Sequence, residues 1–402
     1  MGKVTHAGLS RSFLGMFIET TLSCLFDVGG LVAGFAIALQ LGVFQLSPWA
    51  LALYPAVVSV KGFSTGLLTG RLSTALHLGT VYPNFFGNTK SFYKLIAAIV
   101  VLTLATSATI SAISIIFGSL FWGTNIADFP AILTIMVTTL SFGLLTTIIS
   151  VKVMFVSFKR SLDPELVTFP AISTMADIII TLLYVGVLNL YFYWPYGKWA
   201  IALLGLINVV LVLIILPRNI REPDFLEILK DSLPALLLMA VVVNVTGTFL
   251  KGINAKAAGN KVVFTVYPAI VDMIGDVGLV VGSAATTKLA LGVLPASFSS
   301  IKNHAKNIFS AWAASLMLFV VIGLVALSIN GVFSFQKISS VLFILVLSNI
   351  IAFAAIAILT FAVSIVTFKR GLNPDNFVIP TISSFADCIT TIALFAALLL
   401  FI

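Results

Sequence analysis

Apolar runs long enough to cross a membrane follow one another along nearly the whole chain, separated by short polar stretches. A helix needs about 20 mainly apolar residues to span a hydrocarbon core of about 30 Å. The pattern predicts helices at 13–42, 47–79, 92–120, 129–157 and 170–192, then a sixth at 198–216. Five more are predicted at 232–254, 263–294, 308–329, 338–367 and 380–402. The expected fold is an all-α polytopic membrane protein of about eleven transmembrane helices. Lys3 and Arg11 precede the first run as in a signal peptide, but the run continues to about Gly42 and is read as a retained span.

The polar punctuation repeats. "FKRSLDPELVTFPAISTMAD", Phe158–Asp177, returns 210 residues later as "FKRGLNPDNFVIPTISSFAD", Phe368–Asp387, with ten of twenty positions identical. "YPAVVSVKGFSTGLLTGRLSTALHLG", Tyr54–Gly79, aligns with "YPAIVDMIGDVGLVVGSAATTKLALG", Tyr267–Gly292, at an offset of 213. Landmarks recurring in the same order mark duplicated halves. A half of five spans, being odd, would be inverted by direct fusion, and the unmatched sixth span restores its orientation. The expected organisation is a first repeat at 1–195, a linking helix and cytoplasmic linker at 196–231, and a second repeat at 232–402. The repeats are expected to be parallel and related by a pseudo-two-fold axis, a dimer within one chain for which a monomer suffices. "RNIREPDFLEILKD", Arg218–Asp231, is expected to form a short amphipathic helix on the membrane surface.

Charge orients this plan. With the N-terminus inside, the inner loops collect fourteen Lys and Arg residues and the outer loops five, which satisfies the positive-inside bias. The C-terminus is then outside and the expected location is the cell membrane. Hydrophobic residues make up 60% of the chain and charged ones 9%, so little remains for a soluble domain. The net charge of +8 is scattered over loops without interleaved aromatics, which argues against nucleic acid as a partner. Cys24 and Cys388 lie in apolar segments and indicate neither a disulfide framework nor a thiolate site.

The candidate chemistry lies in acids within the spans. Pro170 and Pro380 suit the first turn of the last span of each half, with Asp177 and Asp387 seven residues further in. Ser173, Asp177 and Thr181 share one helical face, and Ser383, Asp387 and Thr391 repeat it. A carboxylate there is costly in lipid and must face protein, a cation or water. If the last spans lie near the pseudo-two-fold axis, the two carboxylates face one another and attract a divalent cation. The alternative is that each acid caps or bonds neighbouring backbone while its hydroxyl neighbours pack helices. Recurrence of the acid in both halves favours the ion. Oxygen donors without a Cys pair or His cluster favour Mg2+ over softer metals.

"GLNPDNFVIP" followed by "TISSFAD", and "KG" at Lys61 and Gly62 followed by "RLSTALHLG" at Arg71–Gly79, resemble the MgtE magnesium channels and their eukaryotic relatives in solute carrier family 41. The resemblance implies two five-helix units around a central pore, with Asp177 and Asp387 binding hydrated magnesium. It also implies that helix breaks at Pro55 and Gly62, and at Pro268 and Gly275, shape the path. This chain has Phe63 and Asp276 where relatives tend to have Asn after the Gly, and it is expected to be a form without the cytosolic sensing domains that gate bacterial MgtE. Asp276 and Asp27 are kept as further ion ligands, against ion pairing with Lys61, Arg71 or Lys288. Asn244 aligns approximately with Asp27, and His77 is read as a packing residue. Asp163, Glu165 and Asp375 of the paired loops could sense internal Mg2+, although a solvated turn with capping acids accounts for them more simply.

The expected function is divalent cation transport, without enzymatic activity, with sodium or proton coupling open. An intramembrane aspartyl protease, for which "MIGDVG" at Met273–Gly278 has a superficial likeness, and a permease for an organic solute are the alternatives.

Overall fold

The structure is a computed structural model that describes residues 13–160, 169–257, 259–370 and 374–401. Much of the paired loops, 161–168 and 371–373, lies outside the described residues, so the sensing role considered for Asp163 and Glu165 falls there too. Asp375 is within a helix whose side chains at 374–381 are likewise not described.

The described residues form helices throughout: α1 Phe13–Cys24, α2 Gly30–Leu39, α3 Leu41–Gln45, α4 Tyr54–His77, α5 Lys90–Phe117, α6 Phe129–Lys159 and α7 Phe169–Tyr193. They continue as α8 Gly197–Asn219, α9 Pro223–Ala257, α10 Lys261–Ala290, α11 Ile301–Ile329, α12 Phe335–Lys369 and α13 Pro374–Phe401. Nine helical segments among the described residues are long and apolar enough to cross a membrane. The other two expected spans fall on α4, which carries Lys61 and Arg71 among many Gly, Ser and Thr residues, and on α13, whose counted apolar part is only Phe385–Phe401.

Four local expectations are corrected. The first span is not one helix: α1 ends at Cys24 and a 3-10 turn, Phe26–Gly29, places Asp27 at the break before α2. The breaks expected at Gly62 and Gly275 are absent, because α4 and α10 run through them without interruption. Pro55 sits in the first turn of α4, where a proline loses no bond, and the irregular backbone lies just before it at 46–53. Its second part is sealed in protein, with Trp49 to Leu53 all buried and the Tyr184 hydroxyl donating to Ala50 O at 2.6 Å, whereas Leu46 and Pro48 are exposed. In the second half Pro268 is inside α10 instead, since the helix already starts at Lys261. Likewise α13 starts at Pro374, so Pro380 is interior and Asp387 is deeper in its helix than Asp177 in α7.

The fourth correction concerns Arg218–Asp231. Rather than a separate surface helix, its second part is the start of α9, with Pro223 opening the helix and Asp224 in its first turn. The amphipathic pattern is real, but its apolar face, Phe225 and Ile228, is buried in a core shared with Leu68, Leu72 and Phe92. Lys94 reaches the turn before α9 and pairs with Glu222 at 2.5 Å. The hydrogen bond from Lys94, then its charge, holds the Glu222 carboxyl below the usual carboxylate range. A depressed folded pKa contributes stability above the unfolded pKa and loses it as pH falls through the folded one. Glu222→Gln should therefore lower thermal stability slightly at neutral pH and make no difference in acid, as read by melting curves in detergent.

Helix packing divides the chain into two compact units. One is Gly29–Pro268 and the other joins the stretch through Val28 to Ala269–Ile402. In the first, α5 packs on α6 and α9, α4 on α6, α7 and α9, and α8 on α5, α6 and α7. Ser114 of α5 donates to Asn244 of α9 at 2.7 Å. In the second, α11 packs on α1 and α12, and α12 on α13. Ser310 of α11 donates to the Phe13 carbonyl at 2.7 Å. Thus α9, the leading helix of the second repeat, packs on the first repeat's α5, while α1 packs on α11. Compact unit and sequence repeat are different divisions of the chain: the repeat records duplication, the unit records which helix each core took in.

Candidate cation site

α7 carries Ser173, Asp177 and Thr181 on one face, as the spacing requires. Thr181 meets the Tyr54 hydroxyl of α4 at 3.0 Å. Asp177 is 2% exposed, a buried carboxylate within a span. Its partner comes from α4: the Lys61 ammonium lies 2.6 Å from Asp177 Oδ1, and the same nitrogen donates to the Ser173 carbonyl at 3.0 Å. Both side chains are almost fully removed from solvent. A buried ammonium without a counter-charge would be costly, and this geometry supplies one carboxylate and one carbonyl oxygen.

The pairing of Lys61 with Asp177 was not read from the sequence, where Lys61 stood as a counter-charge for Asp27 or Asp276. The other two basic residues considered for those acids have partners of their own. Arg71 pairs with Asp231 at 3.1 Å, and Lys288 lies 3.1 Å from Asn307 Oδ1 and 3.3 Å from His304 Nδ1. The available signal was Lys61 itself: a lysine inside an apolar helix needs an acid, and Asp177 is one of the acids within the spans of its own half.

In the other unit, Asp387 of α13 is half-buried, Thr391 donates to its carbonyl at 2.7 Å, and Ser383 is exposed. Asp272 and Asp276 lie one turn apart on α10 and are half-buried. Asp27 is 1% exposed, and it and Asp276 both act electrostatically on the Cys24 thiol, which brings these two acids into one neighbourhood. Where the first half has Lys61, the second has Ile274, fully buried. Among the described residues no three His, Cys, Asp or Glu side chains come together as a metal cage. A hydrated Mg2+ needs no such cage, because it keeps several waters and takes one or two carboxylates. His77, read as a packing residue, is exposed, though its Nδ1 is bonded to the Ser73 carbonyl at 2.9 Å and its ring is set edge-on to Phe158.

The glycines of α4 and α10 differ. At Gly62, Gly66 and Gly70, one turn apart, no heavy atom of the described residues lies within 4 Å of where a Cβ would stand. Gly275 faces the Ala386 methyl at 3.7 Å, and Gly278 is closed in by Ile356 and Ile382. Among the described residues, nothing therefore covers the Gly62, Gly66 and Gly70 face of α4, which begins next to Lys61. Gly62→Ala should fold and gain about 0.5–1 kcal/mol from helix propensity. A bulkier Gly62→Leu should also fold and yet reduce transport, measured as melting temperature beside flux.

Comparison with known proteins decides the class. The sequence model of MgtE, described as a divalent cation transporter, matches residues 54–187 and again 267–397. The chain belongs to the MgtE family. The two MgtE segments together cover most of the chain, and each ends in the helix that bears the repeated aspartate, α7 and α13. The first MgtE segment contains both members of the Lys61–Asp177 pair, whereas α1 to α3, α8 and α9 lie outside the matches. No curated protein and no solved structure matches the chain.

Proposed function

We propose that this MgtE protein carries Mg2+ across the cell membrane along a path lined by Asp177 and Asp387, with Asp276 and Asp27 as further oxygen ligands. The observation that carries the reading is that the aspartate common to both halves is, at Asp177, buried in a membrane helix against an ammonium ion. A carboxylate maintained there at such desolvation cost is a group that handles cations. Ser173 and Thr181 add hydroxyls on the face of Asp177, and Ser383 and Thr391 on that of Asp387, while no heavy atom of the described residues lies within 4 Å of a Cβ at Gly62, next to Lys61. The two repeats, bounded as expected at 1–195 and 232–402, would supply one carboxylate each, with the N-terminus inside. Asp177 faces a lysine rather than a second acid with which to share a proton, so it does not have the pairing an aspartyl protease needs.

The test is Mg2+ flux into proteoliposomes of the purified chain, with and without an imposed sodium or proton gradient, and with Ca2+, Mn2+ and Co2+ as competitors. Flux without a gradient supports a channel, and flux only with a gradient supports coupling. Absence of Mg2+ flux under every condition overturns the reading.

A further inference from the structure

We propose that Lys61 is a tethered cation that occupies the first-half ion position, so that a divalent ion engages Asp177 only when the lysine leaves. This rests on the reading of Asp177 as an ion ligand. The ammonium sits 2.6 Å from Asp177 Oδ1 and 3.0 Å from the Ser173 carbonyl, taking the two kinds of oxygen that an incoming cation would use. The side chains are 2% and 3% exposed, so water offers neither group much alternative solvation while they are paired. The second half has no lysine at the matching position, which is the buried Ile274. The two halves of the repeat are therefore unequal at the one acid they share. Asp177 is the acid that Lys61 covers and uncovers.

The competition has a definite signature. A ligand that binds only the open form has its apparent affinity reduced by the fraction of time the site is open. The tethered ammonium thus weakens Mg2+ binding, and it also helps expel a bound ion, because Lys61 returns to the carboxylate the ion vacates. Replacing Lys61 by the neutral Met removes the competitor and leaves Asp177 buried without a counter-charge. That variant should be less stable without divalent ions and should be rescued by them. Lys61→Arg keeps the competitor and makes it stronger, since a guanidinium can hold a carboxylate through two parallel bonds.

The experiment measures melting temperature against Mg2+ concentration in detergent, together with the Mg2+ dependence of flux in proteoliposomes, for the native chain, Lys61→Met, Lys61→Arg and Lys61→Met with Asp177→Asn. The expected results are a larger Mg2+-induced stabilisation and an apparent affinity about tenfold or more tighter in Lys61→Met. Weaker affinity is expected in Lys61→Arg, and near-native stability with no such gain in the double variant. Unchanged Mg2+ dependence in both single variants overturns the proposal and makes the pair a structural clamp. Should Lys61→Met fail to fold even with Mg2+, Lys61→Arg decides: weaker affinity supports the competition and native affinity overturns it. A native chain with no flux but with the expected stability shifts would sink the transport reading alone.

Discussion

Asp387→Asn is expected to lower Mg2+ flux through proteoliposomes by about one to two orders of magnitude while the protein stays folded. A hydrogen bond to a charged group is worth about 1.5–3 kcal/mol, and each ~1.4 kcal/mol is a factor of ten. The amide keeps the shape of the side chain and one oxygen, but not the charge that draws a divalent ion. Asp177→Asn has a second consequence, because it leaves the Lys61 ammonium buried against the Ser173 carbonyl with no carboxylate. Breaking a buried pair from one side costs about 3–5 kcal/mol, so this variant should lose stability as well as flux. Adding Lys61→Met should restore folding and leave flux low. Flux at native levels in Asp387→Asn and in the double variant would reduce both acids to packing groups and move the search to Asp276 and Asp27.

Gly34→Ala and Gly247→Ala should each destabilise the protein by about 3 kcal/mol or more, by melting in detergent. A Cβ at Gly34 would stand 2.0 Å from the Thr265 carbonyl oxygen, and one at Gly247 would stand 2.0 Å from that of Ala52. Overpacking commonly costs about 1–3 kcal/mol, and more where backbone has to move. Here α2 must part from the start of α10, and α9 from the irregular stretch before α4, which shifts the helix that carries Lys61. Stability unchanged in both would show that these helices separate freely. Gly42→Ala, where no heavy atom of another described residue lies within 4 Å of the new Cβ, is the control and should be tolerated.

The fold class was legible because hydrocarbon imposes a simple rule: a run of apolar residues must satisfy its backbone within a helix. Each of the eleven expected spans falls on helical structure, the first on α1 and α2 rather than on one helix, and the irregularities that were missed lie at Asp27 and at 46–53, where the Tyr184 hydroxyl bonds the Ala50 carbonyl. Pro55 and Pro268 show the same limit from the other side. They align in the repeat, yet one opens a helix and the other sits inside one, because what differs is the segment before each, not the proline.

Of the candidate site, the sequence by itself determined which residues recur: the aspartate, its hydroxyl neighbours and the helix that bears them are set by duplication and by the 3.6-residue period. It also showed that Lys61 has no counterpart in the second half. Only the tertiary structure decided which acid that lysine meets, that α9 packs on the first repeat's core while α1 packs on α11, and that nothing among the described residues covers the Gly62, Gly66 and Gly70 face of α4. Periodicity is a property of a single helix and survives in the sequence. Pairing is a property of two helices far apart in the chain, and nothing in the spacing of residues along one of them encodes the depth and rotation of the other.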